Sequence, residues 1–168
     1  MDEKGLELLQ DAYKRYRDIV EDSWSLEIVG EGYIDQVAVE GISYLGPLTP
    51  LQVATRMRNS SAFVLPSVFE PWAVVIQEAA LSGLPIIASD ECGAVPHYVH
   101  NVLNGFRIET NSSDALLEAM VAMTSLTDER LKEMSDYSFN LAQNQSQENW
   151  VNACEMIQEI ESKKYLAI

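Results

Sequence analysis

The sequence predicts an α/β domain: a parallel sheet with helices on both faces and extra helices at the carboxyl end. Residues 62–66 and 85–89 are almost wholly apolar, as strands covered on both faces are, and between them residues 74–82 have helical composition and stop at Gly83. That is a βαβ unit. Strand-like and helix-like segments also alternate along most of the chain, the order a parallel sheet requires. Finally, 168 residues with 47% hydrophobic content suit one domain able to bury a core.

The elements follow in order. Leu6, Leu9, Tyr13, Tyr16 and Val20 recur at three- and four-residue spacings, with Glu3, Lys4, Glu7, Lys14 and Arg17 on the other faces, so the chain opens on an amphipathic helix. Residues 26–30 and 42–46 are short, β-rich and ended by glycine, as strands are. Thr49 and Pro50 supply an N-cap and an N1 proline for a helix reaching about Asn59. After the βαβ unit, residues 93–99 suit a short helix and 105–109 a last strand. Ser112 or Ser113 can cap a helix carrying Leu116, Leu117, Met120 and Val121. Two polar helices close the chain, at 128–143 and 146–161, the second with Trp150, Cys154, Ile157 and Ile160 on one side. A doubly wound domain places a strand before its first helix, and none is written here. We expect a single domain over residues 1–168 truncated at that strand, a native start without it being the alternative.

Composition excludes several functions. With 26 acidic and 11 basic residues the formal charge is -15, which repels nucleic acid and anionic lipid. Between Asp18 and Phe106 only Arg56 and Arg58 are cationic, so an anion site in mid-chain must rest largely on backbone N–H groups. Cys92 and Cys154 lack metal-knuckle or disulfide-scaffold spacing, and the apolar runs fall far short of the about 20 residues that span a bilayer. A reduced, cytoplasmic protein is expected.

In open α/β sheets ligands gather outside the carboxyl ends of the strands, where helix N-termini present free amides. Residues 67–79 occupy that position, with Glu70 in the loop and Glu78 in the helix, eight positions on. Two carboxylates at different heights of one cleft can grip vicinal hydroxyls at either end of an elongated ligand, while the amides near Ala73 to Val75 receive a diphosphate. By spacing alone, a solvated loop glutamate and a helix-dipole partner explain the pair better than a ligand site does.

The longer string is more specific. Glu70-Pro71-Trp72-Ala73 with Glu78-Ala79, then Gly83-Leu84-Pro85-Ile86-Ile87-Ala88-Ser89, resembles the family 4 retaining glycosyltransferases (glycosyl transferases group 1), whose hallmark is a Glu-x7-Glu pattern. Glu3-Lys4-Gly5, Ile28-Val29-Gly30-Glu31-Gly32, Tyr44-Leu45-Gly46 and Asn104-Gly105-Phe106 resemble further family motifs in the right order. The resemblance implies the C-terminal, Rossmann-like half of a GT-B enzyme, the half that holds a nucleotide-sugar donor such as a UDP- or GDP-sugar, without a metal cofactor. It implies catalytic contact of Glu70 with sugar hydroxyls, of Glu78 with the ribose, of the Trp72, Ala73 and Val74 amides with sugar and diphosphate, of Lys4 with diphosphate, and of the Leu48 backbone with the base. The acceptor is unknown and its N-terminal domain is absent, so the fragment alone is expected to be inactive. Ala73 replaces the family's usual glycine, and His97 follows Pro96 where an acidic residue is common. A non-catalytic nucleotide-binding or interaction module derived from the same fold is the alternative function.

Two other constellations are weaker. Cys92, His97 and His100, with Asp90 nearby, offer too few soft ligands for a metal site, and a Cys92–His97 nucleophilic pair has less support still. The Trp150, Cys154 and Ile157 face suits docking, including self-association.

Overall fold

The structure, a computed structural model, describes residues 4–31 and 39–145. The predicted second terminal helix and its Trp150 face lie outside these. Within them the order is α1 (Leu6–Ile19), β1 (Leu26–Val29), β2 (Ile42–Gly46), α2 (Pro50–Arg58), β3 (Phe63–Leu65), α3 (Val74–Leu81), β4 (Ile86–Ser89), α4 (Val95–Tyr98), β5 (Gly105–Ile108), α5 (Ser113–Thr124) and α6 (Asp128–Asn144).

Local chemistry sets several boundaries. Thr49 caps α2 reciprocally with Gln52, a capping box ahead of Pro50. Ser112 caps α5 by accepting the Ala115 N–H, and Thr127 caps α6 by accepting that of Arg130. The short helix expected over 93–99 contracts to the single turn of α4, because Gly93 and Ala94 are held by the neighbouring loop instead.

All strand pairs are parallel, but the strands divide between two sheets, β1–β2 and β3–β4–β5, so β1 and β3 do not pair. Successive residues of a strand face opposite sides, and β4 shows the result. Ile86 and Ala88 enter one core with Phe63, Leu65, Ile76, Ala79 and Ala80 from β3 and α3. Ile87, between them, enters a second core with Val64, Leu9, Tyr13 and Tyr16, and Leu116 and Met120 from α5. Leu26 and Ile42 join that second core, so α1 covers strands of both sheets. Each fully buried isoleucine of β4 contributes about 1.5–3 kcal/mol.

Helix α6 is fastened by serines. Ser138 donates to the Leu84 carbonyl at 2.7 Å, and Ser135 donates to that of Gly83. Among the described residues no helix is long and apolar enough to cross a membrane.

Candidate functional site

The loops leaving β3 and β4 meet at the carboxyl edge of their sheet. The Gly93 N–H donates to the Glu70 carbonyl at 3.0 Å and the Ala94 N–H to that of Trp72 at 2.8 Å. Contact is so close that a Cβ on Gly93 would stand 2.1 Å from the Pro71 oxygen, which is why glycine is needed there. Below, the Ser89 hydroxyl donates to the Ser67 carbonyl and lies 3.5 Å from the Cys92 sulfur. Burial pushes the Cys92 thiol up from its ordinary value of 9.0. It is a packed thiol, not an activated one.

The start of α1 reaches the same edge. Gly5 takes φ 68°, and a Cβ there would meet the Pro66 oxygen at 2.0 Å, so the turn into α1 lies against the end of β3. This delivers Lys4 to Glu70, and the ammonium and carboxylate form an ion pair. Lys4 is largely exposed, whereas the Glu70 side chain is 22% exposed.

Ala73 opens α3 in the left-handed region, at φ 67° and ψ 69°. A side chain there costs roughly 1–2 kcal/mol, so the backbone keeps a shape suited to glycine in spite of the methyl group. Among the described residues no side chain caps this terminus, which leaves the first amides of α3 available to an anion. Trp72 and Val74 flank it exposed, while the Ala73 side chain is buried. Glu78 lies one turn further on, exposed on α3, and Leu48 lies half-buried after β2 and before the α2 cap. The structure thus joins Lys4 directly to Glu70, sets Trp72, Ala73 and Val74 beside them in one loop and helix start, and places Glu78 further along α3.

Sequence reasoning missed two participants. The His97 ring packs on Trp72, centroids 5.3 Å apart, and the His97 carbonyl accepts a bond from Gln145 at 2.8 Å. Asn104 is fully buried, donating to the Tyr98 carbonyl and Ser138 hydroxyl and accepting the His100 N–H. The motif that contains Asn104 was its only signal. Cys92, His97 and His100 have separate neighbours, the last bonding Tyr137 at 2.9 Å, and the described residues contain no group of three or more such side chains able to hold a metal.

A Rossmann-like α/β domain with a carboxylate loop and an open helix terminus at its strand ends defines the class. The family is then shown by comparison: a sequence profile described as "Glycosyl transferases group 1" matches residues 1–125, and the chain belongs to that family. It is 30% identical over 127 residues to a phosphatidyl-myo-inositol mannosyltransferase of Mycobacterium leprae, covering 71% of this chain and 33% of that protein. Over 68 residues it is 40% identical to a UDP-Gal:alpha-D-GlcNAc-diphosphoundecaprenol alpha-1,3-galactosyltransferase of Escherichia coli, covering 40% of this chain and 17% of that protein. The chain therefore spans a third of the first relative's length or less. Among solved structures, the C-terminal domain of a group 1 family protein (LpcC) from Francisella tularensis superposes with a TM-score of 0.74 at 18% identity, over 86% of this chain and 80% of that one. Anabaena Alr3699/HepE in complex with UDP-glucose gives 0.75 at 18% identity, over 97% of this chain and 46% of that one. These likenesses show the fold.

Proposed function

We propose that this domain binds the nucleotide-sugar donor of a retaining glycosyltransferase, which moves the sugar from a nucleotide diphosphate to a hydroxyl acceptor. The observation that carries the reading is the Lys4–Glu70 pair beside the uncapped start of α3. The first amides of α3 and the Lys4 ammonium take the diphosphate, and the dipole end of the helix stabilises charge as it leaves. Glu70 accepts bonds from sugar hydroxyls, Glu78 from the ribose, and the Leu48 backbone meets the base. The amides at Trp72, Ala73 and Val74 hold sugar and phosphate. No metal is needed in this scheme, because amides and one lysine carry the anionic charge.

The fold neighbour with UDP-glucose favours a UDP-sugar. Both sequence relatives are named for lipid-linked acceptors, so a cytoplasmic step in the assembly of a lipid-linked glycan is the setting that suits them. The acceptor site belongs to a second, N-terminal domain facing the strand ends.

Titration with UDP, GDP, ADP and UDP-glucose by calorimetry tests the reading. Saturable binding of one diphosphate, weakened by Glu78→Ala, is expected. No binding of any at millimolar concentration refutes it.

A further inference from the structure

Trp72 belongs to a closed circuit of contacts. Its carbonyl accepts the Ala94 N–H at 2.8 Å, and the Ala94 carbonyl accepts the His97 N–H at 3.0 Å. The His97 ring then returns to the indole, with centroids 5.3 Å apart and planes inclined at 42°. That separation lies within the range of paired aromatic rings. The turn that carries the imidazole is firmly seated, because Val95, Tyr98 and Val99 are buried in the core and Gln145 donates to the His97 carbonyl. His97 is thus held at its N–H, at its carbonyl and through its ring.

The indole is only partly covered. It is 43% exposed, and among the described residues His97 is the one ring it meets, while its N–H has no hydrogen-bond partner. Its place in the chain gives the free part a use. Trp72 follows Glu70 by two residues and directly precedes Ala73, where α3 opens, so it stands between the carboxylate assigned to the sugar and the amides assigned to the diphosphate. An indole face is apolar and electron-rich, which suits the C–H groups of a pyranose, and its N–H suits a hydroxyl or phosphate oxygen. An unsupported tryptophan samples several rotamers, and a ligand that needs one of them must freeze it. The imidazole removes that cost before the ligand arrives, as a supporting side chain does when it locks the rotamer of a binding residue.

We propose that His97 is a positioning residue for the sugar half of the donor, presetting the Trp72 indole as a platform for the pyranose. The inference rests on the donor reading above and deepens it. Leu48 and Glu78, which take the base and ribose in that reading, are outside the circuit of Trp72, Ala94 and His97, so the imidazole bears on the sugar and not on the nucleotide. A carboxylate at position 97 has no ring to pack on the indole. The histidine therefore gives this chain a support that the acidic residue common at this place does not.

The test is paired calorimetric titration of the 168-residue chain and of its His97→Ala and His97→Phe variants, using UDP with UDP-glucose and UDP-galactose, and GDP with GDP-mannose. His97→Ala should weaken the sugar nucleotide that binds about three- to tenfold, with its free diphosphate changed by less than about twofold. The melting temperature should drop by about 4 °C at most, which shows that the variant is folded. His97→Phe, which keeps a ring, should restore the ratio of the two affinities. In the ligand-free proteins the heteronuclear NOE of the Trp72 indole N–H should fall in His97→Ala and hold in His97→Phe. An unchanged ratio in His97→Ala, equal weakening of both ligands, absence of rescue by phenylalanine, or an indole of unchanged order overturns the proposal. Binding of a diphosphate with no affinity for its sugar conjugates overturns the platform and leaves the nucleotide site standing. If neither diphosphate binds the unaltered chain, the donor reading itself fails and this inference falls with it.

Discussion

Lys4 and Glu70, 66 positions apart, form an ion pair at the carboxyl end of β3. The pair couples the turn into α1 to the loop ahead of α3, and it holds the Glu70 carboxylate in one orientation before any ligand arrives. Because Lys4 is mostly exposed, the pair adds little to stability. Lys4→Met should change unfolding free energy by less than about 1 kcal/mol while weakening nucleoside diphosphate binding about tenfold, or about 1.4 kcal/mol. Equal loss for the nucleoside and the diphosphate, measured by calorimetry, would contradict a phosphate role.

Ala73 carries the backbone strain of the site. Ala73→Gly should raise stability by about 1 kcal/mol, since φ 67° no longer opposes a side chain, and should tighten donor binding by removing the Cβ beside the phosphate amides. Thermal melts and donor titration read the two effects separately.

Gly93 and Gly46 distinguish contact from strain. Gly93→Ala drives a methyl into the Pro71 carbonyl and should cost about 2–3 kcal/mol together with nucleotide binding. Gly46, at φ 66° with no atom of the described residues within 4 Å of where a Cβ would stand, should tolerate alanine at a cost of about 1–2 kcal/mol with binding intact. Urea unfolding and titration of both variants provide the comparison.

Asn104→Ala removes a buried side chain that satisfies the Tyr98 carbonyl, the Ser138 hydroxyl and the His100 N–H. The Tyr98 carbonyl and the His100 N–H lose this partner at about 1–3 kcal/mol each, while Ser138 keeps its bond to Leu84, so this should be among the most destabilising single changes, visible as a lowered urea midpoint.

Cys92, Tyr13 and Tyr98 all have pKa values raised, in each case chiefly by burial. The unfolded chain therefore ionises these groups first. Their contribution to stability is complete below the ordinary thiol value of 9.0 and is lost as pH rises through the folded values. Stability should fall on the alkaline side, less steeply in Cys92→Ala, and peptide mapping should show Cys92 alkylated only on unfolding.

Much of this was legible in the sequence. Apolar runs at β3 and β4, the Thr49-Pro50 start of α2 and the Gly83 stop of α3 are local signals with local causes, and their boundaries fall within a residue or two. The Lys4–Glu70 pairing was visible only as two residues assigned to one ligand; their mutual contact depends on Gly5 meeting Pro66, a tertiary fact. The division into two sheets was not legible, because strand-like composition says nothing about which edges meet. His97 was noted for what it replaced and as a weak metal or nucleophile candidate, not as a support for Trp72, since its packing there arises from the hydrogen bonds that bring Ala94 against Trp72.

The last turn of α6 carries Gln145 to the His97 carbonyl, and His97 in turn supports Trp72. Two serines pin the middle of the same helix to the opposite end of β4. Helix α6 therefore bridges the sheet and the site: its middle holds the segment that enters β4, and its end holds the residue on which Trp72 packs.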